Sequence, residues 1–334
     1  MREQIISMTA LFFVLLLFGC QNNSKKMIPK NLSKIYFTYY SDEEKLEYIR
    51  FLSAEISKGD YKLKLPRGAF YFSLSEEEKA LTDFKDVLSI DSSNADACLG
   101  MAICYLLEDS TLFNYYINEA IDYNPENGFA YFLRAGSQNK FEDAIEDYNT
   151  AIKLDPQNAH YYFWRGEKYD LVDSVSLSRK DFHKAIEFDS TLVMAYSFLG
   201  IQAEIEKQFE KALKYYSLRI KFAPEDYMGY ESRGNFYYRM ELYEKAIADY
   251  KNSIKYLKPT KINKEEIYIL KKENFYYDIA INYSFINIDS AYHYLELAFE
   301  KDSGYVEHAI NEGYFEKMRN TERFKNLINK YSQQ

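Results

Sequence analysis

A chain of 334 residues, 47% hydrophobic and 28% charged, has enough apolar material to bury a core and too much for intrinsic disorder. Its 12 Gly and 6 Pro are too few for an all-β sandwich or barrel, which turns about every 8–12 residues, so helices are expected. The net charge of −9, from 42 basic and 51 acidic residues, argues against a nucleic-acid partner, whose binding rests on neutralising phosphates.

The chain opens with Arg2 and then an apolar stretch, Ile5 to Phe18, broken only by Ser7 and Thr9. It is shorter than the roughly 20 residues that span a bilayer and reads as the hydrophobic region of a signal peptide. Leu17-Phe18-Gly19-Cys20 follows, then the polar run Gln21-Asn22-Asn23-Ser24-Lys25-Lys26. This resembles a bacterial lipoprotein signal, with Phe18 bulkier than is usual at its position. The resemblance implies that residues 1–19 are removed, that the Cys20 thiol carries a diacylglyceryl group, and that the chain hangs from a membrane by its N-terminus. Two acyl chains suffice for stable anchoring. Gln21, rather than Asp, does not resemble an inner-membrane retention signal, so the outer membrane of the bacterial envelope is the expected location. Residues 20–40 include Pro29, show no helical period and read as a tether. Ser41-Asp42-Glu43-Glu44 then forms a capping-box pattern, and a helix over 42–58 should stop at Gly59.

From here the chain repeats. Gly166, Gly200 and Gly234 are 34 residues apart, as are Gly68, Ala102 and Gly136, with a shortfall of four between Gly136 and Gly166. Ala80, Ala212 and Ala246 lie twelve residues after their glycines, and Phe84, Phe182, Tyr216 and Tyr250 sixteen after. The run from Phe141 to Pro156 (FEDAIEDYNTAIKLDP) closely matches the second helix of the tetratricopeptide repeat, and the 34-residue phase resembles that family as well. The small residue lets two antiparallel helices approach, and the Tyr and Phe excess fills the space between units. The resemblance implies an all-α fold, an α-solenoid of stacked helix-turn-helix repeats wound as a right-handed superhelix. Six units are expected, over about 60–93, 94–126, 127–157, 158–192, 193–226 and 227–258. The third should have a short first helix. A polar, Lys-rich break over 259–273, a degenerate seventh unit over 274–303, and capping helices around Phe315, Arg319 and Phe324 complete the chain.

Patterns that carry chemistry are not found. Cys98 and Cys104, six apart on one helix, fit neither disulfide nor chelate geometry and read as core. His160, His183, His293 and His308 have no neighbour at metal-ligand spacing, and no Gly-rich phosphate loop or Gly-x-Ser-x-Gly turn occurs. Acid clusters such as Glu76-Glu77-Glu78 read as solvated helix starts. Asp-Ser-Thr at 109–111 and 189–191 and Asp-Ser-Ala at 289–291 match a short O-glycosylation sequon of some bacterial envelopes, but read first as helix-turn chemistry. The expectation is a non-enzyme without metal or cofactor.

In the resembled family the first helix of each unit lines a concave groove. The lining positions here are Phe163, Glu167, Asp170 and Leu171, then Ser197, Ile201, Glu204 and Ile205, then Glu231, Asn235, Tyr238 and Arg239. The N-terminal units offer Leu65, Ala69, Phe72, Leu99, Ile103 and Leu106. A groove apolar at one end and acidic at the other fits a protein or peptide segment with apolar anchors and basic residues. Asn235 occupies a slot used by carboxylate-clamp members, but the matching Lys slots hold Leu, Phe, Ser or Glu, so a clamp for chaperone tails is not supported. The expected function is a lipid-anchored interaction scaffold. The alternative is a glycan- or peptide-capture lipoprotein of a nutrient uptake system, which the lone Trp164 in a core-like slot does not favour.

Overall fold

The computed structural model describes residues 40–257 and 265–332. The expected signal segment, Cys20 and nearly all of the tether lie outside the described residues. The chain divides into two compact bodies, Met1–Phe188 and Asp189–Gln334.

The first body begins with α1 (Asp42–Ile56) and a short 3-10 turn, Tyr61–Leu63. Four helix pairs follow: α2 (Lys64–Ser73) with α3 (Glu77–Ile90), α4 (Ala95–Tyr105) with α5 (Ser110–Tyr123), α6 (Gly128–Ser137) with α7 (Phe141–Leu154), and α8 (Ala159–Asp170) with α9 (Val175–Phe188). The second body contains α10 (Met194–Ile205) with α11 (Phe209–Phe222), α12 (Tyr227–Arg239) with α13 (Tyr243–Tyr256), and α14 (Glu265–Ile286) with α15 (Ile288–Phe299). It closes with α16 (Gly304–Asn311), a 3-10 turn at Gly313–Phe315, α17 (Glu316–Arg319) and α18 (Glu322–Tyr331). No strand occurs among the described residues. The fold is an all-α stack of helix pairs, as the spacing predicts.

Four of the pairs share one contact. A Cβ placed on Gly68 would lie 2.8 Å from the Phe84 ring, one on Gly166 3.0 Å from Phe182, one on Gly200 2.6 Å from Tyr216, and one on Gly234 3.1 Å from Tyr250. The small residue of the first helix is therefore the floor on which the aromatic of the second helix rests, and all four rings are buried. The turn between paired helices also repeats. Ser75, Asp173, Lys207 and Glu241, each seven residues beyond its glycine, adopt left-handed backbone with φ between 55° and 61°. The next residue's N–H then reaches back five residues, as in Ser174 to the Tyr169 carbonyl at 2.9 Å and Gln208 to Ala203 at 2.8 Å. This closes the first helix with a Schellman motif that would ordinarily place glycine at the left-handed position.

A polar staple accompanies the small residue. Arg67, Arg134, Arg165 and Arg233 each grip a buried aspartate of the paired helix with two nitrogens: Asp83, Asp147, Asp181 and Asp249, at 2.6–2.9 Å. The third guanidinium nitrogen of each bonds the preceding helix, at Ser53, Asn118, Asn149 and Ser217. One side chain thus ties three helices. Because Ser53 lies in α1, that helix stands where the second helix of a preceding repeat would, with its Ser41–Glu44 capping box formed as expected. The second body's first repeat lacks the staple, with Leu199 and Tyr215 in the two slots, and uses Arg219 to Asp226 and Ser197 instead.

Two details differ from the sequence expectation. Because Arg134 holds Asp147, the small slot of the third repeat belongs to fully buried Ala135 rather than Gly136. The first helix of that repeat is indeed short, at 10 residues. And α14 begins at Glu265, inside the stretch expected to be a break, since Glu265 to Lys272 contains neither Gly nor Pro and is rich in helix formers. In the tail, Phe315, Met318, Phe324, Leu327 and Tyr331 bury against α14 and α15, and the Arg319 guanidinium donates to the Glu312 carbonyl at 2.7 Å. Both Asp-Ser-Thr motifs are turn chemistry: Asp109 accepts from the Thr111 and Leu112 amides, and Asp189 from the Thr191 amide.

Candidate functional site

In the second body, α10 and α12 place the residues expected to line the groove around one hollow. Ile201, Glu204, Ile205, Tyr216, Ser232, Asn235 and Arg239 enclose about 550 Å³. Ile201 and Ile205 project from α10 into solvent, with Ile205 76% exposed. Beside this apolar shelf the polar groups are locked to one another. Arg239 grips Glu204 with Nε on one carboxylate oxygen and Nη2 on the other, the latter at 2.9 Å. The Tyr216 hydroxyl donates to Glu204 Oε2 at 3.1 Å, and the Tyr250 hydroxyl to Asn235 Oδ1 at 2.7 Å. Such bidentate, charge-assisted bonds hold side chains in one orientation before any ligand arrives.

This corrects the expected charge of the groove. Glu204 is not a free acid awaiting a basic partner, because Arg239 neutralises it from the next repeat. Glu231 and Tyr238 lie beyond the hollow. Nearby Asp278 of α14 is pushed up to about 7, by its withdrawal from water and then by the Glu231 charge. Tyr216 and Ser232 were missed by sequence reasoning. The aromatic column reads as core, and only the hydroxyl that separates Tyr216 and Tyr250 from Phe84 and Phe182 hints that a ring reaches polar surroundings.

The first body supplies fewer groove residues than expected. Phe163 is 1% exposed and packs on Trp164 and Phe182, with ring centroids 5.4 and 5.7 Å apart, so it belongs to the core. Ala69, Phe72, Leu99 and Ile103 are buried too. The cause is clearest in α4, which buries every residue from Ala97 to Cys104: a helix apolar all round is an interior helix rather than a groove wall. Cys98 and Cys104 are buried free thiols, pushed up to about 11 and about 12 by burial, which leaves them unreactive at neutral pH. Asp170 stands 3.5 Å from the Ser178 hydroxyl, and Leu171 is exposed at the turn. Glu167 is partly exposed, yet its Oε2 is shut off from water with no hydrogen-bond partner, and burial pushes the group up to about 7.

Among the described residues no group of three His, Cys, Asp or Glu is placed to hold a metal ion, and no helix is long and apolar enough to cross a membrane.

Comparison with known proteins places this architecture. The TPR repeat family model matches residues 137–169, the second helix of the short repeat and nearly all of the first helix after it. The chain is 31% identical over 112 residues to the Hsp70-Hsp90 organizing protein of Triticum aestivum, covering 34% of this chain and 19% of that protein. It is 27% identical over 204 residues to the peptidyl-prolyl cis-trans isomerase FKBP4 of Bos taurus, covering 60% of this chain and 40% of that one. It therefore spans well under half the length of these relatives. Among solved structures, pilF of Pseudomonas aeruginosa superposes with a TM-score of 0.51 at 17% identity, over 68% of this chain and 97% of that chain. The chain thus carries a TPR repeat at 137–169, within a body that has the fold of a TPR solenoid.

Proposed function

We propose that this chain is a non-catalytic interaction scaffold, tethered by lipid at Cys20 to the bacterial envelope, which holds a segment of another protein along the first helices of its repeats. The observation that carries the reading is the second-body hollow. An apolar shelf of exposed Ile201 and Ile205 adjoins a rigid polar wall of Glu204, Arg239, Tyr216 and Asn235. Exposed apolar side chains rimmed by oriented polar groups are what a recognition surface needs. The wheat relative is named for organising Hsp70 and Hsp90, which supports the protein-interaction reading. The Leu17-Phe18-Gly19-Cys20 run supports the lipid anchor, and Gln21 in place of Asp supports the outer-membrane location.

The test is a photo-crosslinking residue at Ile205 in cells, combined with an alkynyl fatty-acid label. The expected result is one discrete protein adduct, lost when Ile201→Asp is added, and a label lost in Cys20→Ser. Adducts spread over many proteins, or insensitive to Ile201→Asp, would refute the groove. A label that persists in Cys20→Ser would refute the anchor.

A further inference from the structure

The hollow in the second body has hydrogen-bonding capacity mainly of one kind. Its strongest acceptors are already taken: Glu204 Oε1 by Arg239 Nε, Glu204 Oε2 by Arg239 Nη2 and the Tyr216 hydroxyl, and Asn235 Oδ1 by the Tyr250 hydroxyl. Ser232 turns its hydroxyl proton back to the Met228 carbonyl, 2.8 Å away. Two donor groups are left over. The Asn235 Nδ2 amide and Arg239 Nη1 make no hydrogen bond among the described residues, and both side chains line the hollow.

Charge narrows the choice of ligand further. Glu204 and Arg239 neutralise each other, so the described residues around the hollow hold no unpaired cation for a carboxylate. Glu231 stands one helical turn before Asn235 on α12 and would repel one. An incoming ammonium or guanidinium finds the Glu204 oxygens occupied. What remains is a neutral acceptor, and every residue of a partner chain brings one in its peptide carbonyl. The spacing agrees. Asn235 and Arg239 are one helical turn apart, about 6 Å, and carbonyls on one side of an extended chain recur about every 6.6 Å.

The same body shows this device on its own tail. On α14, the next first helix, Ser284 shares its hydroxyl proton between the Ile281 carbonyl at 2.7 Å and the tail's Tyr314 carbonyl at 2.8 Å. The Tyr277 hydroxyl, again a donor, reaches Glu312 Oε2 at 3.1 Å. Glu312 has extended backbone, φ −82° and ψ 146°, and buried Phe315 packs edge-on against Tyr277. A first helix of this body therefore already holds a stretch of chain by donors and an apolar side chain. Tyr238, the residue before Arg239 on α12, packs against that same cluster, so the occupied face adjoins the hollow.

We propose that the hollow holds an extended, uncharged segment of the partner by its main chain. Asn235 Nδ2 and Arg239 Nη1 donate to two alternate carbonyl oxygens, while one apolar side chain lies on Ile201 and Ile205. Selection at this hollow then rests on the apolar anchor, and the basic residues expected from the sequence take no part in it. This inference rests on the groove reading and names what the groove recognises in the second body.

The experiment selects dodecapeptides from a random display library on the full-length chain and, in parallel, on Asn235→Asp. That variant keeps the Oδ1 that accepts from Tyr250 and replaces the left-over donor by an acceptor. The wild type should select one fixed apolar position with no charged residue fixed beside it. Asn235→Asp should bind those peptides about tenfold more weakly, with unchanged circular dichroism, and select a Lys or Arg beside the apolar position instead. An amide-to-ester swap weakens one carbonyl as an acceptor. In a selected peptide on the wild type, losses of about threefold are expected at two positions two residues apart, a result that needs no variant. A fixed charged position, a required C-terminal carboxylate, no loss at any ester, or an Asn235→Asp that selects the same peptides would overturn the main-chain reading. The groove would still stand if Ile201→Asp abolished that binding. Peptides indifferent to Ile201→Asp, or none selected, would overturn the groove itself and this inference with it.

Discussion

Glu167 in the first body and Glu204 in the second are both glutamates on the first helix of a repeat, and the two bodies treat them differently. Glu204 has Arg239 across its two oxygens and the Tyr216 hydroxyl as a third donor. Glu167 has none of these, and the nearby Tyr148 hydroxyl also goes without a partner. The same scaffold can therefore carry an acid as a finished structural bond or as an unfinished one. What decides is whether the neighbouring repeats supply a cation and a donor in reach.

The sharpest way to break this contrast is to leave a core acid bare where the fold pairs it. Arg165→Leu would strip Asp181 of both bonds in the first body, and about 3–5 kcal/mol of stability should be lost in denaturant titration. Arg239→Leu would strip Glu204 of its counter-charge and leave it the Tyr216 hydroxyl alone. Because Arg239 is half exposed, a smaller loss of about 1–2 kcal/mol is expected. Glu167→Gln should act in the opposite direction. Burial raises this carboxyl from 4.5 to about 7, so the folded state disfavours its ionised form. Its contribution to stability is fully present below about pH 4.5 and lost as pH rises to about 7. The variant should match the wild type in acid and exceed it by about 1–2 kcal/mol at pH 8, read as thermal midpoints across a pH series. The smallest effect compares the turns. Lys207→Gly should stabilise by about 0.5–1 kcal/mol, since lysine pays for its left-handed backbone, while Asp173→Gly should gain less because aspartate tolerates that region. Differential scanning calorimetry of the two variants would check the order.

The fold was legible because its cause is periodic: a small residue, an aromatic sixteen later, and an alanine between them recur at a spacing no other architecture requires. What escaped notice lacked such a signature, or hid within it. Arg67, Arg165 and Arg233 precede their glycines directly and their aspartates precede the aromatics, so the staple was in plain view. Each charge, taken alone, reads as surface. Gly136 and Ala135 are adjacent and both small, and only the ion pair to Asp147 decides between them. The groove was legible in the second body, where Ile201, Glu204, Asn235 and Arg239 come together, and misjudged in the first. There, Phe163 and the α4 residues face interior contacts that helix spacing alone cannot separate from an open face. Glu204 was misjudged through its partner, which comes from 35 residues away.

The opening helix has a mechanical consequence. Tyr40 is locked edge-on against Tyr48 and Phe70, and the Lys45 ammonium bonds the Ser73 carbonyl across to α2 at 3.3 Å. Among the described residues, this clasp is the first that a tug along the chain from its start would meet. A strain strong enough to open it would peel α1 away from Arg67 and leave the aspartate grip on Asp83 intact, so that the load is shed at a sacrificial link before it reaches the repeats.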